Sequence, residues 1–251
     1  MRDTGQSENS TPVSLRTLRF TGQALLRLLL VGAISAAACS DEPPADASAP
    51  VKTEPKLTLI LEGPVDAEFA PIAGRLTTLY YECYPKLLTR FEHPTRKAPR
   101  KIRLTFDPKL DIPAHCSGDR VTVSIKWLKA HPDDIGLLTH ELTHAVQAYP
   151  DSNPGWLTEG IADYARKQYG PEKQPGWNFP DRLSSQQSYT NSYGVTARFL
   201  VWIEEKHPGT VDTLHRRMQE REFRLEDFQT ATGKTVDELW RECVAELNHG
   251  Q

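Results

Sequence analysis

The segment HELTH at 140–144 places two imidazoles, His140 and His144, four residues apart with a carboxylate, Glu141, between them. Residues four apart project from one face of a helix, so both rings can converge on a single cation. Glu141 then lies where it can take a proton from water activated beside that cation. A hydrolytic zinc site needs a third protein ligand and one open coordination position. Glu159 and Asp163, in WLTEGIADY at 156–164, are also four apart. Glu159 is the candidate third ligand. Asp163 is the candidate acceptor for the non-ligating ring nitrogen of a zinc histidine, His140, whose tautomer it would fix. The plain alternative is a solvated acid pair at a helix start, where anions are favoured in any case. The apolar frame of Trp156, Leu157, Ile161 and Ala162 argues against it.

Positioning these groups requires two helices and a base to hold them. Ile135, Leu138, Leu142, Ala145, Val146 and Tyr149 form an apolar stripe at helical spacing around the histidines, with Asp133 or Asp134 as the expected cap. Upstream, Leu57–Leu61 reads as a buried strand. Glu68–Phe91 reads as a helix, with Pro85 expected to kink or bound it. Lys101–Phe106 and Arg120–Ile125 alternate as half-buried strands do, and Ser117-Gly118-Asp119 is turn chemistry joining two short antiparallel segments. From residue 132 onward the pattern is helical, with Leu239, Trp240, Val244 and Leu247 on the buried face of a closing helix. The expected fold is α+β and zincin-like: a small N-terminal twisted sheet, then a mainly helical C-terminal half carrying the HExxH helix. The cleft is expected between that helix and the one bearing Glu159.

The order His-Glu-x-x-His followed by Glu-x-x-x-Asp resembles the gluzincin arrangement of thermolysin-like peptidases. Four blocks resemble the basic secretory protein family of zinc peptidases: HELTHAVQ (140–147), WLTEGIADYAR (156–166), SYGVTARFL (192–200) and TGKTVDELW (232–240). The similarity runs in order from about residue 57 to residue 246. It implies one Zn2+ per chain held by His140, His144 and Glu159, a catalytic carboxylate at Glu141, and a peptide or protein substrate. The mechanism also calls for a donor to the developing oxyanion. Tyr193 is the first candidate and Tyr189 the second. His215, beside Arg216 and Arg217, reads as part of a surface helix face. The competing reading is a non-catalytic zinc-containing lipoprotein that binds peptides or envelope components.

Arg2, Arg16, Arg19 and Arg27 precede an uncharged run, Leu28–Ala38, that ends in small residues before Cys39. The run is too short to cross a bilayer, which takes about 20 apolar residues, but it suits a signal-peptide core. Residues 1–38 are therefore expected to be a signal peptide. The position of Cys39 resembles a bacterial lipobox, with Ala36 where leucine is usual. Acylation there would anchor the protein to a membrane of the cell envelope, the outer one where there are two, and plain secretion would cut the same bond. The Pro/Ala/Asp-rich stretch through residue 56 reads as a tether, and 57–251 as the metallopeptidase domain. Across all 251 residues the composition is 38% hydrophobic and 25% charged with net charge −3, a globular profile without the basic footprint of a nucleic-acid binder. A monomer is expected. Of four cysteines, Cys83 and Cys116 could pair in an oxidising compartment, or with Cys243 remain three small thiols.

Overall fold

The computed structural model describes residues 56–249. The expected signal peptide at 1–38, Cys39 and most of the tether lie outside the described residues.

Four short strands form one mixed sheet in the order β1-β2-β4-β3: β1 (Thr58–Glu62), β2 (Lys101–Asp107), β3 (Ala114–Ser117) and β4 (Arg120–Ser124). β1 and β2 are parallel, as are β2 and β4, whereas β3 returns antiparallel to β4 across the turn at 117–119. Parallel neighbours need a long crossover. Between β1 and β2 it is α1 (Ala70–Phe91), whose buried face includes Leu76, Tyr80, Leu87 and Phe91. Ile102, Leu104 and Phe106 of β2, with Val121 and Val123 of β4, are buried in the same core.

Two expectations change here. Pro85 lies inside α1 without ending it. Its missing N–H costs the helix one bond, and the long apolar face outweighs that cost. β1 is not a buried strand: it sits at the sheet edge with Ile60 and Leu61 exposed, because only β2 pairs with it.

A short helix, α2 (Ile125–Ala130), and a 3-10 turn at Asp134–Gly136 lead into α3 (Leu137–Gln147), which carries the two histidines. α3 packs against α1, β3 and the next helix, α4 (Gly155–Tyr169), so it is buried on nearly every side. Leu138, Leu142, Ala145 and Val146 share one face as the expected stripe, and polar residues such as Thr139 and Thr143 are buried on the other sides. Neither Asp133 nor Asp134 caps it. The Asp134 carboxylate accepts instead from Trp127 Nε1 (2.7 Å) and Arg166 Nη2 (2.6 Å).

The remaining helices are α5 (Tyr193–Lys206), α6 (Thr210–Glu220), α7 (Glu226–Thr232) and α8 (Val236–His249). α4 and α5 pack closely at Gly160, where a Cβ would lie 2.2 Å from Thr196 Cγ2. The glycine beside Glu159 thus lets α5 bring its N-terminus over the site. The architecture is α+β, a small mixed sheet with a mostly helical remainder. Among the described residues no helix is long and apolar enough to cross a membrane, and Cys83, Cys116 and Cys243 are free thiols.

Candidate metal centre

His140 and His144 project from α3 toward Glu159 on α4. Their Nε2 atoms are 3.1 Å apart, and Glu159 Oε2 lies 3.1 Å from the first and 3.6 Å from the second. Both Nδ1 atoms are engaged from behind. His140 Nδ1 donates to Asp163 Oδ1 at 2.7 Å, and His144 Nδ1 donates to Gln147 Oε1 at 2.8 Å. The amide of Gln147 can point only one way, because its Nε2 donates to the carbonyl of Thr158 (2.9 Å). Its oxygen must face His144, which leaves the His144 Nε2 lone pair turned to the common point.

With the single ring proton of each neutral imidazole on Nδ1, three electron pairs converge on one point. His140, His144 and Glu159 form a group that can hold a metal ion. Tetrahedral ligands about 2.0–2.1 Å from zinc would lie about 3.3–3.4 Å from one another, so the observed spacings need little adjustment. The electrostatics agree. Burial opposes an imidazolium at His140, but the carboxylates of Asp163 and Glu159 outweigh it and raise its pKa to about 10. Glu159 resists burial likewise and is held down to about 2 by the two imidazoles. The pocket favours positive charge at its centre.

Glu141 makes no hydrogen bond among the described residues and lines the same cleft, which has a volume of about 810 Å³, within the usual range for ligand sites. Burial raises its pKa above the usual carboxylate value, with His140 and His144 pulling the other way. Tyr193 also lines the cleft. It is 57% exposed, and its ring stacks over His140 at 6.1 Å between centroids. Two successive residues with positive φ deliver it there, Ser192 (φ 69°, ψ 176°) and Tyr193 (φ 46°). The Ser192 conformation is one that essentially only glycine adopts freely, and such strain gathers at functional sites. Just beyond, Gly194 is close enough to the 178 carbonyl that a Cβ would lie 1.8 Å away. Tyr193 is thus held over the cleft rather than packed into the core.

Tyr189, the second oxyanion candidate, packs against Trp156, Phe199 and Trp240 instead. His215 is not on a surface face. It is buried, with Nε2 donating to the carbonyl of Phe91 and Nδ1 accepting from Tyr149.

Sequence reasoning missed several groups. Gln147 stands three residues after His144, a helical spacing that could have exposed it. Trp177 donates from Nε1 to the second oxygen of Asp163 at 3.2 Å, and it comes from a loop with no periodicity to read. His115, on β3, lines the cleft and bears electrostatically on Glu141. Arg166 also lines the cleft, one helical turn beyond Asp163.

Behind the small mixed sheet, the helical body thus presents in one cleft an oriented His-His-Glu group that can hold a metal ion. The family model described as BSP, peptidase of plants and bacteria, matches residues 87–243, more than half of the chain, and the protein belongs to that family of peptidases. No curated protein and no solved structure matches the chain.

Proposed function

We propose that this protein is a zinc-dependent, gluzincin-like peptidase of zincin-like fold, held outside the cytoplasm through an acylated Cys39. The observation that carries the reading is the convergence of His140 Nε2, His144 Nε2 and Glu159 Oε2, each histidine locked from behind, beside an unbonded buried carboxylate. Two imidazoles and one carboxylate are a donor set that zinc takes in hydrolytic sites. Zinc held by these three residues would supply Lewis-acid polarisation of the scissile carbonyl and would lower the pKa of water toward about 7.

The chain's own groups supply the rest. Glu141, its proton affinity raised by burial, takes the proton from the attacking water and returns it to the leaving amine. The phenol of Tyr193 is raised above its usual pKa, first by the charge of Glu159 and then by burial. It therefore stays protonated near neutral pH and can donate to the oxyanion that forms on the carbonyl. Asp163 and Gln147 keep the imidazoles aimed. β3 forms one edge of the sheet and contributes Ala114, His115 and Cys116 to the cleft wall. Its unpaired backbone groups suit an extended peptide lying alongside. One zinc per chain and a monomeric enzyme complete the reading.

The test is metal content together with cleavage of a peptide library by the purified domain. Glu141→Gln should lower kcat by about 10²–10⁴-fold, the range for a general acid–base group, while zinc stays stoichiometric. Zinc without turnover on any peptide would favour the non-catalytic lipoprotein, and a protein that takes no zinc under replete conditions would remove both readings.

A further inference from the structure

Two arginines are drawn well into the protein, and their surroundings differ. Arg90 uses all three guanidinium nitrogens. Nε and Nη2 go to the carboxylates of Asp212 and Glu204 at 2.8 Å each, and Nη1 to the Tyr164 hydroxyl at 2.8 Å. Burial works against its charge, but these partners outweigh it and the pKa rises.

Arg166 is more deeply buried, only 6% exposed, yet it is less well served. Nε donates to Gln174 Oε1 and Nη2 to Asp134 Oδ1, both at 2.6 Å. Among the described residues one carboxylate is thus its only direct anionic partner, and that carboxylate is shared with Trp127. The Trp177 ring lies 4.5 Å from the guanidinium carbon. Nη1 makes no hydrogen bond among the described residues. Burial outweighs Asp134 and the more distant Asp163 and Glu141, so the pKa falls below the usual arginine value. Asp163 spends both oxygens on His140 and Trp177.

The placement is equally specific. Arg166 stands seven residues beyond Glu159 on α4, two turns along one face, or about 10 Å of helix axis. The cleft that holds the metal group also holds Arg166, with Leu137, Asp134 and Trp177 beside it. An extended peptide advances about 3.3–3.6 Å per residue, so a group within two residues of the cleaved bond can reach it. One N–H of Nη1 with one N–H of Nη2 makes the fork that matches a carboxylate, and both N–H bonds of Nη1 are uncommitted among the described residues.

We propose that Arg166 is a carboxylate-recognising subsite of this cleft, selecting peptides that carry a carboxylate within two residues of the cleaved bond. The carboxylate is either the peptide's own C-terminus or an Asp or Glu side chain. The proposal rests on the peptidase reading and adds a substrate class to it.

Matched peptides test it on the metal-loaded enzyme. One pair differs only in a C-terminal acid against a C-terminal amide. The other pairs, all amidated, carry Glu against Gln at successive positions. The expected result is at least a tenfold advantage in kcat/KM for the acid at one location, and that location identifies the source. Acids no better than their amides at every location would overturn the subsite. Arg166→Gln should reduce the advantage below about threefold. Should that variant not fold, Arg166→Lys keeps the charge but loses the fork and should cut the advantage at the same location, whereas a purely structural arginine would leave it unchanged in the folded variant. Should the wild-type enzyme cleave none of the peptides, the peptidase reading fails, but the subsite can still be read by calorimetry. The same acid and amide pairs are then titrated into the Glu141→Gln protein: tenfold tighter binding of the acid upholds the subsite, and equal binding overturns it.

Discussion

His140 and His215 are both nearly closed off from solvent, 8% and 2% exposed, yet their surroundings drive them in opposite directions. His140 has a carboxylate at each ring nitrogen, Asp163 at Nδ1 and Glu159 at Nε2. Acceptors on both sides call for a cation between them, and the pKa climbs to about 10 despite burial. His215 has an acceptor at Nε2, the Phe91 carbonyl, and a donor at Nδ1, the Tyr149 hydroxyl. That pairing satisfies the neutral ring completely, and burial drives its pKa down to about 4. Burial depth therefore does not distinguish a candidate ligand from a scaffold histidine; the polarity of what faces the two nitrogens does.

The two regions are joined. Gln219 Nε2 donates to the carbonyls of both Phe91 and Gln147, so the scaffold around His215 supports the residue that orients His144.

The largest expected effect is on stability against pH. His215 titrates near 6.5 when unfolded and near 4 when folded. Between those values the unfolded chain binds the extra proton, so stability is full above about 6.5 and falls as pH drops toward 4, by roughly 3 kcal/mol. Urea unfolding of the protein and of His215→Gln at pH 7 and pH 4 reads this term, and the variant should lose that part of the slope. Equal slopes would mean that His215 is not held neutral. His140 has the opposite sign: its raised pKa gives the metal-free protein stability that is lost as pH rises toward 10. For the same reason, metal affinity should weaken as acid competes for the site.

A second experiment moves to the metal side. Asp163→Ala should weaken zinc binding by about 10–100-fold, the usual cost of removing an outer partner of a ligand, as measured by competition with a chelating dye. Gln147→Ala should cost less, about tenfold, since a neutral amide makes a weaker bond to the imidazole than a carboxylate does. A larger loss for Gln147 than for Asp163 would reverse the ranking of the two supports.

The misreading of His215 shows where local sequence stops informing. Arg216 and Arg217 follow it and suggest a solvated face, but successive helical residues point about 100° apart. Val211, Leu214, His215, Met218 and Gln219 share the buried side of α6, and Arg216 stays exposed. Spacing within one helix is legible in the sequence, including the three-residue step from His144 to Gln147. Which partner each face would meet is not.

The chain on its own determined the elements and the pairs made within them. Periodicity marked α3 and the alternating strands, and four-residue steps put His140 with His144 and Glu159 with Asp163, because helical geometry is local. Only the tertiary structure decided that the two pairs face each other across one point. It also decided that Asp134 serves Arg166 and Trp127 rather than capping a helix, that a loop tryptophan secures Asp163, and that strained backbone at Ser192 holds Tyr193 over the cleft. Those outcomes depend on contacts between segments far apart in the chain. Packing and desolvation choose such contacts, and no short window of sequence contains them.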